Sequence, residues 1–421
     1  TLRGNSLDMH QLTRVFGMTR IPGEGVDTLE QSAGSTHVVV LRRGAFYVLE
    51  LYDAAGAPLG LAALESALAA IIDASASILE HADEPPVSVL TSLERDAWAA
   101  EREALRESSS ISCASLEAIE TALFCLALDE ASPASKQEVA RLSLCGDGRN
   151  RWYDKSFTVV VFENGRGGIN AEHTPVDAMT IVSIYLKVLE RVRSTVKKSG
   201  RGADATGASV HGETEMSHPR RAVQKLEWEL PPSTLATIER ASADIAALCD
   251  SCQLALLEFR HFGKGLIKRS KLHPDFFVQM AIQLAHYRLH KRFVATYETG
   301  HTRAFYHGRT DTVRTTSVES CAFVEAMCDD EADAEAKTGA LRAACDAHGQ
   351  QLMRVLSGQG IDRHLLGLQV IAAMRGDETP ELFTDASYKR GGGGGNYALS
   401  TSNVGYTPMC GGFAPMVKEG Y

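Results

Sequence analysis

The pattern of apolar and polar positions predicts two β-hairpins in the first half of the chain. The first covers residues 37–51 and turns at Gly44, and the second covers residues 156–172 and turns at Gly165. Both consist of β-branched and aromatic side chains on either side of a turn glycine, which is typical of paired strands. We therefore expect β-structure at both places and a helix immediately after the second hairpin.

Helical periodicity surrounds these hairpins and dominates the second half of the chain. The predicted helices cover residues 59–81, 93–106, 232–260, 274–290, 332–358 and 362–375. Ser92 is the expected N-cap of the second helix, and Pro274 stands at the first position of the fourth. Strands are predicted at residues 293–297 and 397–402. Strands that alternate with helices indicate an α/β chain.

A polar segment, residues 197–218, divides the chain near its middle. It is rich in Gly, Ser, Thr and charged residues and has no apolar periodicity, so it is typical of a connection between domains. We predict two domains, residues 1–215 and residues 216–421.

Composition narrows the class of protein. The chain of 421 residues is 44% hydrophobic and 23% charged, values that are typical of a globular protein and exclude global disorder. Its net charge of −10 argues against nucleic acid as a partner, because binding phosphates requires an excess of Lys and Arg. Any site for a polyanion must be local.

The cysteine content indicates the cellular compartment, and the two chain ends indicate whether the sequence is complete. Nine cysteines, an odd number scattered along the chain, indicate free thiols in a reducing compartment. No apolar run of about 18 residues is present, so no membrane-spanning helix is expected. Because the chain begins at Thr1 without a methionine and stops at Tyr421 after an apolar stretch, we expect a fragment that is incomplete at both ends.

The first chemical signal is His173 with Asp177, at the point where the second hairpin turns into a helix. A histidine that titrates near neutral pH can act as a general base, and a carboxylate four positions later can order the site around its ring. The alternative is structural. Thr174 as N-cap, Pro175 at the first helical position and Asp177 at the third also form a helix start.

The second signal is a basic cluster before the helix that Pro274 opens. Lys264, Lys268, Arg269 and Lys271 form a local positive site suited to a phosphate. The alternative interpretation is a solvated run of charge.

Hydroxyl groups in an apolar strand are the third signal. Alternation along a strand places Ser400 and Ser402 on one face and Thr401 on the other, so two hydroxyls can line one cleft and stabilise an oxyanion. They could equally lie on a solvated face. The preceding run of five glycines lacks the Gly-Lys-Ser/Thr ending of a nucleotide phosphate loop, which argues against ATP or GTP.

Arginines near predicted helix and strand ends are the fourth signal. Arg309, Arg314 and Arg363 could each hold a carboxylate, because the planar guanidinium binds two oxygens at once. Each could instead form a structural salt bridge.

These motifs, taken in order, closely resemble the carnitine/choline acyltransferase family. The matching segments are residues 150–156, 172–173, 262–264, 272–275, 297–314, 362–367 and 399–402. The resemblance covers nearly the whole chain. It implies two α/β sandwich domains of the chloramphenicol-acetyltransferase type, with the active-site tunnel at their interface. It also implies His173 as the base and Asp177 as its nearby acid. Because no Cys or Ser lies beside His173 in the sequence as a candidate nucleophile, we expect direct transfer without a covalent acyl-enzyme.

The resemblance also implies how coenzyme A, the co-substrate, is bound. Lys264 and Lys268 match lysines that meet its 3′-phosphate, and Asp275 lies where the family contacts the same molecule. Ser400 and Ser402 match cleft serines, of which Ser402 is the one expected beside the oxyanion and the trimethylammonium group.

The acceptor implied by the resemblance is L-carnitine. Tyr297, Thr310 and Arg363 fall at positions that bind the carnitine carboxylate. Choline-specific members lack the threonine and arginine, since choline has no carboxylate to pair. An acceptor without a carboxylate would leave a buried arginine unpaired, which is costly.

Acyl preference and location follow from the same resemblance. The spacing after Ser402 is similar to the peroxisomal medium-chain branch, in which glycine at the position of Gly411 leaves the acyl pocket open. Each buried methylene contributes roughly 0.8 kcal/mol, so an open pocket favours octanoyl-like chains. We expect a monomeric peroxisomal transferase with no metal, no permanent cofactor and no nucleic-acid partner. The alternatives are a short-chain carnitine acetyltransferase, an inactive truncated chain that binds coenzyme A, and a mitochondrial or cytoplasmic location.

Overall fold

The computed structural model describes residues 6–76, 84–198, 223–405 and 411–421, and for residues 195–198 it describes the backbone alone. Two compact units are present. The His173 unit comprises residues 10–256 and 407–412, and the Ser402 unit comprises residues 1–9, 257–406 and 413–421. The boundary predicted after residue 215 lies outside the described residues. Residues 223–256, which the sequence assigned to the second domain, pack within the His173 unit.

The His173 unit is built on a six-stranded mixed sheet with strand order β7-β6-β5-β3-β4-β8. A separate antiparallel pair, β1 and β2, completes its strands. The bounds are β1 Met18–Ile21, β2 Thr28–Gln31, β3 His37–Arg42, β4 Ala45–Glu50, β5 Cys125–Asp129, β6 Phe157–Phe162, β7 Gly167–Ala171 and β8 Val223–Lys225. Both hairpins predicted from the sequence are therefore present, as β3–β4 and β6–β7.

Helices cover this sheet. They are α1 His10–Thr13, α2 Leu61–Ala76, α3 Arg95–Ser108, α4 Ser110–Thr121, α5 Lys136–Leu144, α6 Ala178–Lys198 and α7 Pro232–Ser251, with a 3-10 helix at Val87–Ser92. Two sequence predictions are corrected here. Ser92 belongs to the 3-10 helix, and the N-cap of α3 is Glu94, whose carboxylate accepts the first free amides of that helix. Helix α7 ends at Ser251 and does not continue to residue 260.

The alternation of β3 explains why both faces of the sheet are covered. Val39 and Leu41 belong to one core cluster with Trp98 of α3, and Val38 and Val40 belong to a second cluster. Successive side chains of a strand point to opposite faces, so a fully apolar strand requires helices on both sides.

The Ser402 unit combines a small sheet with a layer of helices. Its strands are β9 Thr296–His301, β10 Thr310–Arg314 and β11 Leu399–Thr401, in the order β10-β9-β11. Its helices are α8 Lys264–Arg269, α9 Pro274–His290, α10 Val318–Cys328, α11 Ala334–Leu356, α12 Asp362–Arg375, α13 Glu381–Thr384 and α14 Ala386–Arg390, with a 3-10 turn at Gly393–Gly395. Met280, Phe323 and Val324 lie at the centre of its core.

The chain is thus α/β, as the sequence indicated. Helices α9 and α12 have the predicted bounds. The strand expected at residues 293–297 is wrong by three positions, since β9 begins at Thr296, and β11 is shorter than predicted. Among the helices described, none is long and apolar enough to cross a membrane. The described cysteines are free thiols. The tunnel predicted between two domains stays a prediction.

Candidate active site

His173 lies exposed on a tight turn between β7 and α6. The strand end is held by the Glu172 amide, which donates to the Ser156 carbonyl at 3.1 Å. The helix begins at Ala178, directly after Asp177. The alternative assignment of Thr174 as N-cap with Asp177 in the first turn is therefore wrong. The His173–Asp177 segment is a turn in front of the helix.

The Glu172 carboxylate closes this turn across His173. Its Oε1 accepts the Thr174 amide at 2.9 Å and also the Thr174 hydroxyl. The same oxygen lies 3.6 Å from Nη1 of Arg20 on β1. These contacts hold the residues on both sides of His173.

Asp177 is fixed by a residue that the sequence reasoning missed. Nε2 of Gln11 donates to Asp177 Oδ2 at 2.7 Å, and the Asp177 amide donates to Gln11 Oε1 at 2.8 Å. The Thr180 hydroxyl also donates to Oε1, at 3.0 Å. Between the two polar ends, Val176 is buried in a small apolar cluster with Val15 and Phe157.

Four charged side chains that are joined by ion pairs lie next to this turn. Arg20 and Arg95 both contact Asp27 Oδ2, at 2.6 and 2.7 Å, and Arg95 also contacts Asp154 at 2.8 Å. Burial raises the pKa of the Asp154 carboxyl to about 6, although Arg95 opposes that change. Next to Thr174, a cavity of about 510 Å³ is lined by three of these charged residues. It is a cleft with charged and apolar lining residues beside the turn that carries His173.

In the Ser402 unit, the strand register brings predicted substrate residues together. β11 runs parallel to β9 and places Ser400 opposite Tyr297, and β10 places Arg314 opposite the same tyrosine. Thr401 donates its hydroxyl to the Tyr297 carbonyl at 2.8 Å and accepts from Gln279 at 2.9 Å. Ser402 follows the last strand residue and is exposed.

Thr310 and Arg363 also lie together. Nε of Arg363, the second residue of α12, donates to the Thr310 carbonyl at 3.1 Å. The neighbouring Arg314 forms a two-pronged ion pair with Asp362, with N–O distances of 2.8 and 3.1 Å. Of the candidate arginines, Arg314 is thus a structural salt bridge. Arg363 is exposed, not buried as expected, and its role as a carboxylate ligand stays a prediction.

The residues expected to bind coenzyme A occupy neighbouring segments of the chain. Lys264 and Lys268 are exposed on α8, four positions apart. Asp275 lies in the first turn of α9, where its Oδ1 accepts Nδ2 of Asn403 at 2.6 Å. This bond ties Asp275 to the segment that follows Ser402.

A buried acid–histidine pair adjoins Asp275, and the sequence reasoning missed it too. Glu298 and His348 are each 3% exposed and their side chains approach to 2.7 Å. Burial raises the pKa of Glu298, and His348 partly opposes this. In the part of the chain that is described, Asp275, Glu298 and His348 form the group whose ligand atoms, within 4.8 Å of one another, could hold a metal ion. The contact places an imidazole nitrogen of His348 against the buried carboxyl group of Glu298.

Gly411 is not brought against any described residue. It is exposed, and a Cβ atom built on it meets no described heavy atom within 4 Å. Its expected role in an acyl pocket stays a prediction.

Comparisons with known proteins agree in one family. The family described as "Choline/Carnitine o-acyltransferase" matches residues 1–421. "Peroxisomal carnitine O-octanoyltransferase" of Bos taurus is 35% identical over 430 residues, covering 99% of this chain and 68% of the relative. "Carnitine O-palmitoyltransferase 2, mitochondrial" of Mus musculus is 33% identical, covering 99% of this chain and 61% of the relative. The muscle isoform of "Carnitine O-palmitoyltransferase 1" of Homo sapiens is 36% identical, with 98% and 54% coverage.

Proposed function

The chain belongs to the choline/carnitine O-acyltransferase family, and on that basis we propose that it transfers an acyl group reversibly between coenzyme A and the hydroxyl of L-carnitine. The observation that carries the proposal is the turn that presents His173. An exposed imidazole lies two positions after the end of β7, with Glu172 and Asp177 both held by other residues.

In the proposed mechanism His173 removes the proton from the carnitine hydroxyl, and the oxygen attacks the thioester carbon. Ser402, together with the cationic end of carnitine, stabilises the tetrahedral oxyanion. The carbon–sulfur bond then breaks, and the thiolate of coenzyme A takes up the proton that His173 holds. Transfer is direct, without a covalent acyl-enzyme, and the reverse reaction uses the same base on the thiol. Asp177 orders the turn around the base.

The carnitine carboxylate is proposed to bind at Tyr297, Thr310 and Arg363. Two observations support this grouping: Tyr297 and Thr310 lie on the paired strands β9 and β10, and Arg363 reaches the Thr310 carbonyl. The guanidinium group carries a permanent charge, so it can pair with the carboxylate at any physiological pH. This acceptor chemistry favours carnitine over choline.

Coenzyme A is proposed to bind with its 3′-phosphate at Lys264 and Lys268 and with a further contact to Asp275. Both lysines are exposed on the same short helix, in a chain whose net charge is −10. A local positive site of this kind is needed to attract a phosphate to an acidic protein.

A medium-chain acyl group and a peroxisomal location are proposed from similarity, because the octanoyltransferase relatives are peroxisomal by name. Palmitoyltransferases match at comparable identity, so the acyl-chain preference needs direct measurement. Initial rates with acetyl-, octanoyl- and palmitoyl-coenzyme A decide between the three chain lengths. A clear maximum with acetyl- or palmitoyl-coenzyme A would contradict the medium-chain proposal.

The test of the reaction is carnitine-dependent release of thiol from octanoyl-coenzyme A, followed with a thiol-reactive dye. His173→Ala should lower kcat by about 10²- to 10⁴-fold, the contribution typical of a general base. Its thermal stabilisation by coenzyme A should be unchanged. The matched control is His307→Ala, because His307 is also exposed. Turnover that survives in His173→Ala would show that another group is the base, and binding of coenzyme A without any turnover would favour an inactive binding chain.

A further inference from the structure

Gln11 has a buried side-chain amide whose hydrogen bonds, among the described residues, go to one short segment. Its side chain lies on α1 and the residue is 4% exposed. The NH2 group donates to the Asp177 carboxylate, and the carbonyl oxygen accepts the Asp177 amide and the Thr180 hydroxyl. The distances are 2.7, 2.8 and 3.0 Å. The two residues in the first bond are 166 positions apart in the chain.

This arrangement fixes two things about Asp177 at once. The bond to its amide sets the position of the main chain, and the bond to Oδ2 sets the rotation of the carboxylate. Both bonds come from one planar group, so the carboxylate cannot turn without losing a bond while the main chain stays in place. Buried hydrogen bonds of this kind are costly to leave unmade.

The turn that Gln11 contacts packs on an apolar cluster. The cluster packed beneath the turn consists of Val15, Phe157 and Val176, with partly buried apolar side chains from β6, β7 and α6. The helix that carries Gln11 has only four residues, so the side chain does little for that helix. Its hydrogen bonds act on residues 177–180.

We propose that Gln11 is a positioning residue for the acyl transfer, which sets the orientation of Asp177 and of the turn that presents His173. The inference rests on the proposed function, since it assigns Gln11 a role only through those two residues. It predicts a loss of kcat that is separable from any loss of stability.

The first test is Gln11→Glu, which keeps the length of the side chain and the acceptor oxygen. The substitution replaces the NH2 donor with an oxygen facing Asp177 Oδ2. Two carboxylates at this distance cannot both ionise without strong repulsion. At pH 8 we expect kcat/KM to fall by about 10- to 100-fold, the effect of a misplacement of about 1 Å. As the pH is lowered, the introduced carboxyl gains a proton and can again donate, so the ratio of variant to native kcat/KM should rise.

Other titratable groups do not account for this signature. His10 on α1, and Glu172 and His173 on the turn, are present in the native protein as well, so their own titration cancels in the ratio. In an Asp177→Asn background the repulsion is absent because the amide can donate to the introduced carboxylate. There the added effect of Gln11→Glu on kcat/KM should shrink to within about threefold, which is the double-mutant test of coupling.

Asn150→Asp is the matched control. Asn150 is 8% exposed, donates to Asp129 at 3.1 Å and accepts the Gly44 amide at 3.1 Å, so it repeats the amide–carboxylate chemistry within the same unit. This control should lower the melting temperature and leave kcat/KM within about threefold of native, with no recovery at low pH.

Each outcome decides the inference. If Gln11→Glu lowers the melting temperature like the control and keeps kcat/KM within about threefold of native at every pH, Gln11 is only structural. If Gln11→Glu does not fold cooperatively, Gln11→Met is measured instead. Its kcat/KM should fall to a similar extent, without recovery at low pH. An unchanged kcat/KM in Gln11→Met would overturn the inference. If the native protein releases no thiol in a carnitine-dependent way, the proposed function itself is refuted. Turnover surviving in His173→Ala refutes His173 as the base, whereas loss there with native-like Gln11 variants refutes only the positioning role.

Discussion

Replacing Lys155 should raise the free energy of unfolding at pH 7 and lower it at pH 10. Lys155 is 1% exposed, and its Nζ donates to the Thr19 hydroxyl at 2.8 Å and to the Glu120 carbonyl at 2.7 Å. Neither partner is charged, so the cost of burying the ammonium is not compensated by an ion pair. Burial accordingly lowers the pKa of Lys155 from 10.5 to about 8.

The magnitude follows from linkage. The folded state disfavours the protonated amine, so the penalty is complete below pH 8 and disappears as the pH rises to 10.5. At pH 7 it amounts to about 3 kcal/mol, and at pH 10 to less than about 1 kcal/mol. Lys155→Met removes this penalty but also two hydrogen bonds of about 1 kcal/mol each. The variant should be more stable than native by about 1 kcal/mol at pH 7 and less stable by a similar amount at pH 10.

Urea unfolding, followed by tryptophan fluorescence, measures this difference in stability for the His173 unit, which contains Lys155. The three tryptophans of the chain, Trp98, Trp152 and Trp228, all lie in the His173 unit. Lys187→Met is the control, because the Lys187 side chain is 81% exposed. Groups that titrate elsewhere affect native and variant alike, so only the difference matters. A difference between native and Lys155→Met that stays constant from pH 7 to pH 10 would refute the depressed pKa.

Two further measurements test the Ser402 unit. In Gly300→Ala the new Cβ lies 2.5 Å from Cγ1 of Val355, so the free energy of unfolding measured by urea titration should fall by about 1–3 kcal/mol, and an unchanged value would contradict this packing. Glu298→Gln tests the acid that faces His348. Burial raises the pKa of Glu298 above 4.5, so the protonated carboxyl group stabilises the native protein. This contribution to stability is lost as the pH rises through the raised pKa. The melting temperature of the variant relative to native should therefore increase with pH above about 4.5, and a flat difference would show that the carboxyl titrates normally.

The elements predicted best from the sequence are those whose ends are determined locally. Helix α9 begins at Pro274, whose ring suits the first helical position, and α12 ends at Arg375, directly before Gly376, which adopts a φ of 70°. The strand expected at residues 293–297 is misplaced because the apolar run from residue 293 is typical of a buried strand. Phe293 instead stacks on Tyr287 of α9. The true strand is half polar, so its pairing and not its composition identifies it.

The same distinction between local and distant determinants applies to the candidate site. His173 and Asp177 could be recognised as candidates because they lie close together in the chain, and their roles stay predictions. Gln11 could not, since one buried glutamine has no local pattern and its meaning comes from a partner 166 positions away. Glu298 lay in a recognised motif, but its role depends on β9 turning that side chain inward, where the buried His348 of α11 faces it. A charged residue at an inward position of a strand requires a partner, because burial of an unpaired carboxylate is too costly. The sequence alone therefore indicates that Glu298 has a partner. Only the packing of the helices against the sheet identifies that partner as His348.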